Sequence, residues 1–124
     1  MKSLLKSILP ILLVASSCQK EPFVRFGFDT DFEKNSTGLS IMHVGSRTNT
    51  VYLSGEIFVV EGEVLIELID PAGEIVYTSH VVSPCILHVD ESFRTTPGNW
   101  YLKYRSIKGE GTIILHLDNA FQKN

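Results

Sequence analysis

At 124 residues, with 11 Lys and Arg against 14 Asp and Glu and a formal net charge of −3, the chain has room for one domain and not for two. Such an acidic balance excludes nucleic acid and an anionic bilayer surface as electrostatic partners, because both demand basic patches that displace counterions. In chain order, Lys2 and Lys6 form a basic start, Ile8 to Val14 an apolar run, and Ala15, Ser16 and Ser17 a small-residue stretch. This is the order of a secretory signal over residues 1–17. A membrane-spanning segment needs about 20 apolar residues, and Lys6, Pro10 and the serines leave about half of that.

Val14-Ala15-Ser16-Ser17-Cys18 resembles the lipobox of bacterial lipoproteins. The resemblance implies cleavage before Cys18 and acyl chains on its thiol and new amino group. Ala15 stands where the usual box has Leu, so an ordinary cleaved secretory signal is the competing reading. Gln19, not Asp, follows Cys18, which under the sorting rule of such lipoproteins implies the outer membrane. Gln19-Lys20-Glu21 is also similar to the charged export tag of surface-displayed lipoproteins, and residues 18–22 then form the lipidated cysteine and a short linker. Several acyl chains make such anchoring stable, since each buried methylene contributes about 0.8 kcal/mol.

Loss of residues 1–17 leaves 107 residues, with 9 Lys and Arg against 14 Asp and Glu. Acylation of Cys18 leaves Cys85 without an intrachain partner. Set beside Pro84 and leading into Ile86-Leu87, Cys85 reads as a small buried apolar residue.

From Glu21 onward the hydrophobic period is two, and no stretch shows helical spacing. Phe23 to Phe28 is the first expected strand, with Val24, Phe26 and Phe28 on one face, and Asp29 to Gly38 follows as a polar loop. Leu39 to Val44 is the next strand and Gly45 to Asn49 a turn. Thr50 to Ser54 and Glu56 to Val60 are either two strands or one bent at Gly55. Glu63 to Asp70, Pro71-Ala72-Gly73 and Glu74 to Ser79 make a hairpin: Asp70 accepts turn hydrogen bonds, Pro71 presets φ, and Gly73 takes the left-handed position. Both faces of Val64 to Ile69 are apolar, which marks a central strand.

Ser83-Pro84 breaks the run before Ile86 to Asp90. Pro97-Gly98-Asn99 turns into Trp100 to Arg105, where Trp100, Leu102 and Tyr104 share a face. Ser106 to Gly111 reads as a loop, and Thr112 to Leu117 closes the fold with Ile113, Leu115 and Leu117 inward. The expected fold is all-β, a single antiparallel sandwich of seven or eight strands over residues 23–118, immunoglobulin-like or jelly-roll-like, with a tail at 119–124. G-E-V-L-I-E-L-I-D-P-A-G-E-I-V-Y, P-G-N-W-Y-L-K-Y and G-E-G-T-I-I-L-H-L together resemble a pattern in small uncharacterised envelope lipoproteins, and that resemblance implies a fold and no activity.

Candidate chemistry is sparse. His43, His80, His88 and His116 lack the close spacing of a preformed zinc site, although His88 and His116 share an outward phase and a weak surface pair is conceivable for them. Asp29, Asp31 and Glu33 alternate as in a calcium loop, but Gly38 comes too late to turn the run, so a solvated acidic loop is preferred. Glu61, Glu63, Glu67, Asp90 and Glu91 offer carboxylates whose separations the sequence does not give. No G-x-S-x-G elbow and no phosphate-cradling glycine loop is present. Trp100 reads as core, whereas Tyr52, Phe58 and Tyr101 would form a binding platform if an outer face gathered them.

The expectation is therefore no enzyme, no cofactor and no metal. It is a lipid-anchored binding or interaction module of the bacterial outer membrane, displayed at the surface and held by acyl chains on Cys18. Its partner would be a protein or a glycan, and not nucleic acid. The alternative is a structural accessory subunit of an envelope complex, presenting a flat apolar patch or an unpaired edge strand.

Overall fold

Residues 50–69 and 98–118 are rich in apolar and β-branched side chains, and extended backbone places successive side chains on opposite faces. In the computed structural model, which describes residues 25–119, each of these stretches is one uninterrupted strand. The described chain is all-β: β1 (Arg25–Lys34), β2 (Thr37–Val44), β3 (Thr50–Ile69), β4 (Ile75–Val82), β5 (Cys85–Arg94) and β6 (Gly98–Asp118). They form one six-stranded sheet in the order β1-β6-β3-β4, with β2 also paired to β6 and β5 also paired to β3. Every pairing is antiparallel.

The two long strands each take two neighbours in succession. β6 pairs with β2 over residues 98–105 and with β1 over 109–118. β3 pairs with β5 over 50–59 and with β4 over 63–69. Where β3 and β6 meet, the register shifts on both sides of Glu61: Val59 faces Gly111, Glu61 faces Glu110 and Glu63 faces Ile107. Each strand thus absorbs one extra residue at the same level. The inward positions of β3 change from Val51, Leu53, Ile57 and Val59 to Val64, Ile66 and Leu68, and those of β6 from Trp100, Leu102 and Tyr104 to Ile113, Leu115 and Leu117. All of these side chains are buried in one cluster. With an unbroken period of two, one half of each strand would turn its apolar set to water.

Gly62 makes the shift sterically feasible. Its φ is +72°, and a Cβ there would lie 2.2 Å from the carbonyl oxygen of Lys108, which no side chain tolerates. The β1–β2 connection is tied to the same level. Ser106, only 1% exposed, donates its hydroxyl to the carbonyl of Lys34 at 2.6 Å and accepts the amide of Ser36 at 3.0 Å. The Lys108 amide donates to Asn35 Oδ1 at 2.8 Å. At the β3–β4 turn the amides of Ala72 and Glu74 donate to Asp70 Oδ1 at 3.0 and 2.9 Å. Gly73 there takes φ +88°, the turn chemistry expected of Asp70-Pro71-Ala72-Gly73.

Several boundaries differ from those expected. Among the described residues the count is six strands and not seven or eight, because pairing runs through the segments that composition marks as breaks. Gly55 lies within β3 in unbroken register with Val89 and Leu115, and residues 106–111 belong to β6 instead of a loop. Asp29–Lys34 continues β1, where β6 supplies the backbone partners and the acidic side chains face solvent. β5 extends to Arg94, well past Asp90. Trp100, Leu102 and Tyr104 are core as expected, and β3 is central between β4 and β6. Cys18, the signal, residues 23–24 and residues 120–124 lie outside the described residues.

Candidate functional site

Outward positions of β2, β6, β3 and β4 fall into rows fixed by the register. In the first row Ile41 faces Tyr101, Tyr101 faces Ile69, and Ile69 faces Ile75, so apolar side chains cross all four strands. Ile41 and Ile75 are 42% and 54% exposed. The next row runs Leu39, Lys103, Glu67 and Thr78, and the one beyond it Thr37, Arg105, Leu65 and His80. Leu39 is 55% exposed. Leu39, Leu65, Glu67, Lys103 and Arg105 line an open groove of about 550 Å³ beside the apolar row. Opposite charges meet within it, since Glu67 stands directly across from Lys103. The arrangement offers apolar contact area with a charged rim.

The reverse-facing rows, on β1, β6, β3 and β5, have a different character. Asp29, Asp31 and Glu33 project from β1, and Glu33, Glu110 and Glu61 lie directly across from one another on three strands. Asp31 accepts the hydroxyl of Thr112 at 2.9 Å. The alternating acids are a strand edge, not a loop, and among the described residues no group of three or more His, Cys, Asp and Glu is placed to hold a metal ion.

Three of the four histidines are engaged singly. His43 Nδ1 lies 3.0 Å from Asn99 Oδ1, His80 Nε2 pairs with Glu63, and His88 Nδ1 lies 3.4 Å from Glu56 Oε2. His88 and His116 are not cross-strand neighbours: β3 separates them, with His88 opposite Glu56 and His116 opposite Ser54. Tyr52, Phe58 and Tyr101 do not cluster into an aromatic platform either. Phe58 faces Thr112 among the acidic rows, Tyr52 sits six residues earlier on β3, and Tyr101 belongs to the apolar row of the other half. Cys85 is a free thiol, half-buried and packed against the core, where full burial was expected.

Two titratable groups feel their surroundings clearly. Arg25 Nε donates to Asp118 Oδ1 at 2.8 Å, and that hydrogen bond and the carboxylate charge raise the guanidinium above its ordinary value. Burial pushes the Tyr77 phenol up, a hydrogen bond with Ser79 opposes this, and the charge of Glu91 adds to it.

Of the apolar row, sequence reasoning singled out only Tyr101. The available signal was the apolar second face of 63–69, Leu65 and Ile69, which reads as central-strand burial until the neighbours Ile41 and Ile75 are seen to be exposed.

No protein-family model and no curated protein matches the chain. Among solved structures it is similar to the insecticidal delta-endotoxin Cry8Ea1 from Bacillus thuringiensis, at 10% identity and TM-score 0.46, over 74% of this chain and 19% of that one. It is similar to the VP2 subviral particle of infectious bursal disease virus at 12% identity and TM-score 0.43, over 78% of this chain and 32% of that one. The Drosophila melanogaster CENP-C cupin domain aligns at 16% identity and TM-score 0.30, over 70% of this chain and 54% of that one. The chain spans between about a fifth and about half of the length of these proteins. At such TM-scores the likenesses carry no function across to this chain.

Proposed function

We propose that the chain is a lipid-anchored envelope protein, tethered at Cys18, whose β domain is an interaction module that lays the outer face of β2, β6, β3 and β4 against a protein partner. The observation that carries this is the row Ile41, Tyr101, Ile69 and Ile75. Exposed sheet faces are normally polar, and a contiguous apolar strip rimmed by Lys103, Glu67 and Arg105 has the composition of a contact surface. A protein is preferred to a glycan because Tyr52, Phe58 and Tyr101 lie apart. The lipobox-like Val14-Ala15-Ser16-Ser17-Cys18 supports the anchor, and Gln19-Lys20-Glu21 the outer-membrane, surface-displayed location. No catalysis is assigned to the domain.

The architecture reads as a single antiparallel sandwich made by folding the sheet across the bend in β3 and β6. Support comes from the common level at which both long strands switch their inward phase and from the single core shared by both halves. Counted by half, β3 and β6 contribute two segments each, which makes eight in all.

A photoreactive side chain in place of Tyr101, set against one in place of Thr112, tests the face in cells carrying the full chain. The expected result is an adduct from position 101, mapped to one reciprocal site on its partner and lost in Ile75→Glu. Equal adducts from both positions, or none, reject the face. Fractionation of Cys18→Ala tests the tether separately: release from the membrane is expected, and retention rejects it. The alternative of a structural accessory subunit draws on the same apolar row. It predicts that deletion of the chain dissociates a larger complex, whereas a binding module leaves its partner intact.

A further inference from the structure

Among the described strands β2 is hydrogen-bonded to β6 and to no other, so its far flank offers a row of backbone N–H and C=O groups. Monomeric proteins guard such edges with charge, proline or bulges. β1 carries Arg25, Asp29, Asp31, Glu33 and Lys34, and β5 carries Asp90, Glu91 and Arg94. β4 has a register shift beside Ile69 and sets the polar Thr78 and His80 at its outward centre. β2 has no register shift, and its outward polar residues, Thr37 and His43, lie toward its ends and leave its centre apolar. Its sequence, T-G-L-S-I-M-H-V, contains no Asp, Glu, Lys, Arg or Pro, and the outward Leu39 and Ile41 at its centre are 55% and 42% exposed.

We propose that β2 pairs antiparallel with β2 of a second copy of this chain, about a two-fold axis at Ser40. Another extended backbone continues the open ladder as a further strand, and the geometry of this strand suits its own copy. A two-fold axis through Ser40 sets Leu39 opposite Ile41 of the second copy and Thr37 opposite His43, all outward. Gly38 then meets Met42 and Ser40 meets Ser40 on the inward side. Outward meets outward throughout, as sheet continuity requires; an axis between two residues would oppose outward with inward positions.

Charge points to the same edge. The chain is acidic, with a formal net charge of −3, so copies repel wherever carboxylates are brought together. Pairing through β1 would set Asp29, Asp31 and Glu33 against their own kind. Pairing through β2 opposes no ionised side chains. It also extends the apolar row Ile75, Ile69, Tyr101 and Ile41 into Leu39 of the second copy. One strand pair is a small contact, in the weak class below about 1,200 Å², so the dimer forms reversibly. The pairing goes beyond the anchored-module reading and holds whether or not Cys18 is acylated.

The test uses the full chain with Cys85→Ser, adding Ser40→Cys, mild oxidation and a non-reducing gel. Cys85→Ser alone gives the background from Cys18. The expected result is a covalent dimer from Ser40→Cys, lost when Leu39→Lys is added, with Thr78→Cys on β4 staying at background. Ser40→Cys at background, or Thr78→Cys forming dimer equally well, overturns the proposal. Should Ser40→Cys fail to fold, sedimentation of the unmodified chain decides. A doubled mass that Leu39→Lys returns to monomer supports the pairing, and a monomer at every concentration overturns it.

Discussion

Trp100 is 1% exposed and its indole N–H donates to the Thr96 carbonyl at 3.1 Å, so the largest core side chain is satisfied at both its apolar body and its polar edge. Trp100→Ala removes that volume from a cluster with little room to collapse, and a loss of about 3 to 5 kcal/mol is expected in chemical denaturation. Tyr77 gives a pH-dependent counterpart. Its phenol packs edge-on to Phe93, with ring centroids 6.4 Å apart, and burial leads the causes that raise its pKa in the folded chain. The unfolded chain therefore gives up this proton at lower pH than the folded one. The contribution is complete below the unfolded value and falls away as pH rises through the folded one. As pH rises above about 10, the ordinary tyrosine value, the native chain should lose more stability than Tyr77→Phe, as read from urea midpoints. Equal losses would remove Tyr77 from the account.

The double register shift between β3 and β6 belongs to the element scale, because neither strand makes it alone. Val59 faces Gly111 on one side and Glu63 faces Ile107 on the other, with one extra residue absorbed by each strand between them. Gly62→Val puts a branched side chain at φ +72° against the Lys108 carbonyl. It should destabilise the domain by about 2 kcal/mol or more in thermal or denaturant unfolding. The hairpin at Asp70-Pro71-Ala72-Gly73 was legible from sequence because a turn's requirements are local, held within four or five residues. The register shift was not legible. Gly62, Lys108 and Gly109 resemble loop composition, and only the partner strand reveals that pairing resumes in phase beyond them. The same blindness turned Asp29 to Lys34 into a loop: an acidic edge strand looks like solvated coil until its neighbour β6 is in place.

At the scale of the whole sheet, β3 and β6 are flanked on both sides along almost their full length, whereas among the described residues β1, β2, β4 and β5 each pair with one strand only. Local opening frays edges before it breaks the centre. Amide hydrogen exchange should accordingly be slowest in β3 and β6 and should rank the four outer strands below them. Uniform protection across the six strands would contradict this order. The buried residues of both halves form one cluster.

The sequence by itself determined the β class, the inward faces of Trp100 to Tyr104 and Ile113 to Leu117, and the Asp70 to Gly73 turn. Each of these follows from a period of two or from chemistry confined to one turn. It also supplied the resemblance at Cys18, a short contiguous motif. Tertiary structure decided how six strands pair in one sheet, where β3 and β6 shift register, and which apolar residues remain outside the core. Ile41, Ile69, Ile75 and Tyr101 come from four different strands. Whether such residues meet, and whether anything covers them, depends on register between distant parts of the chain. Hydrophobicity along one strand carries no record of that register.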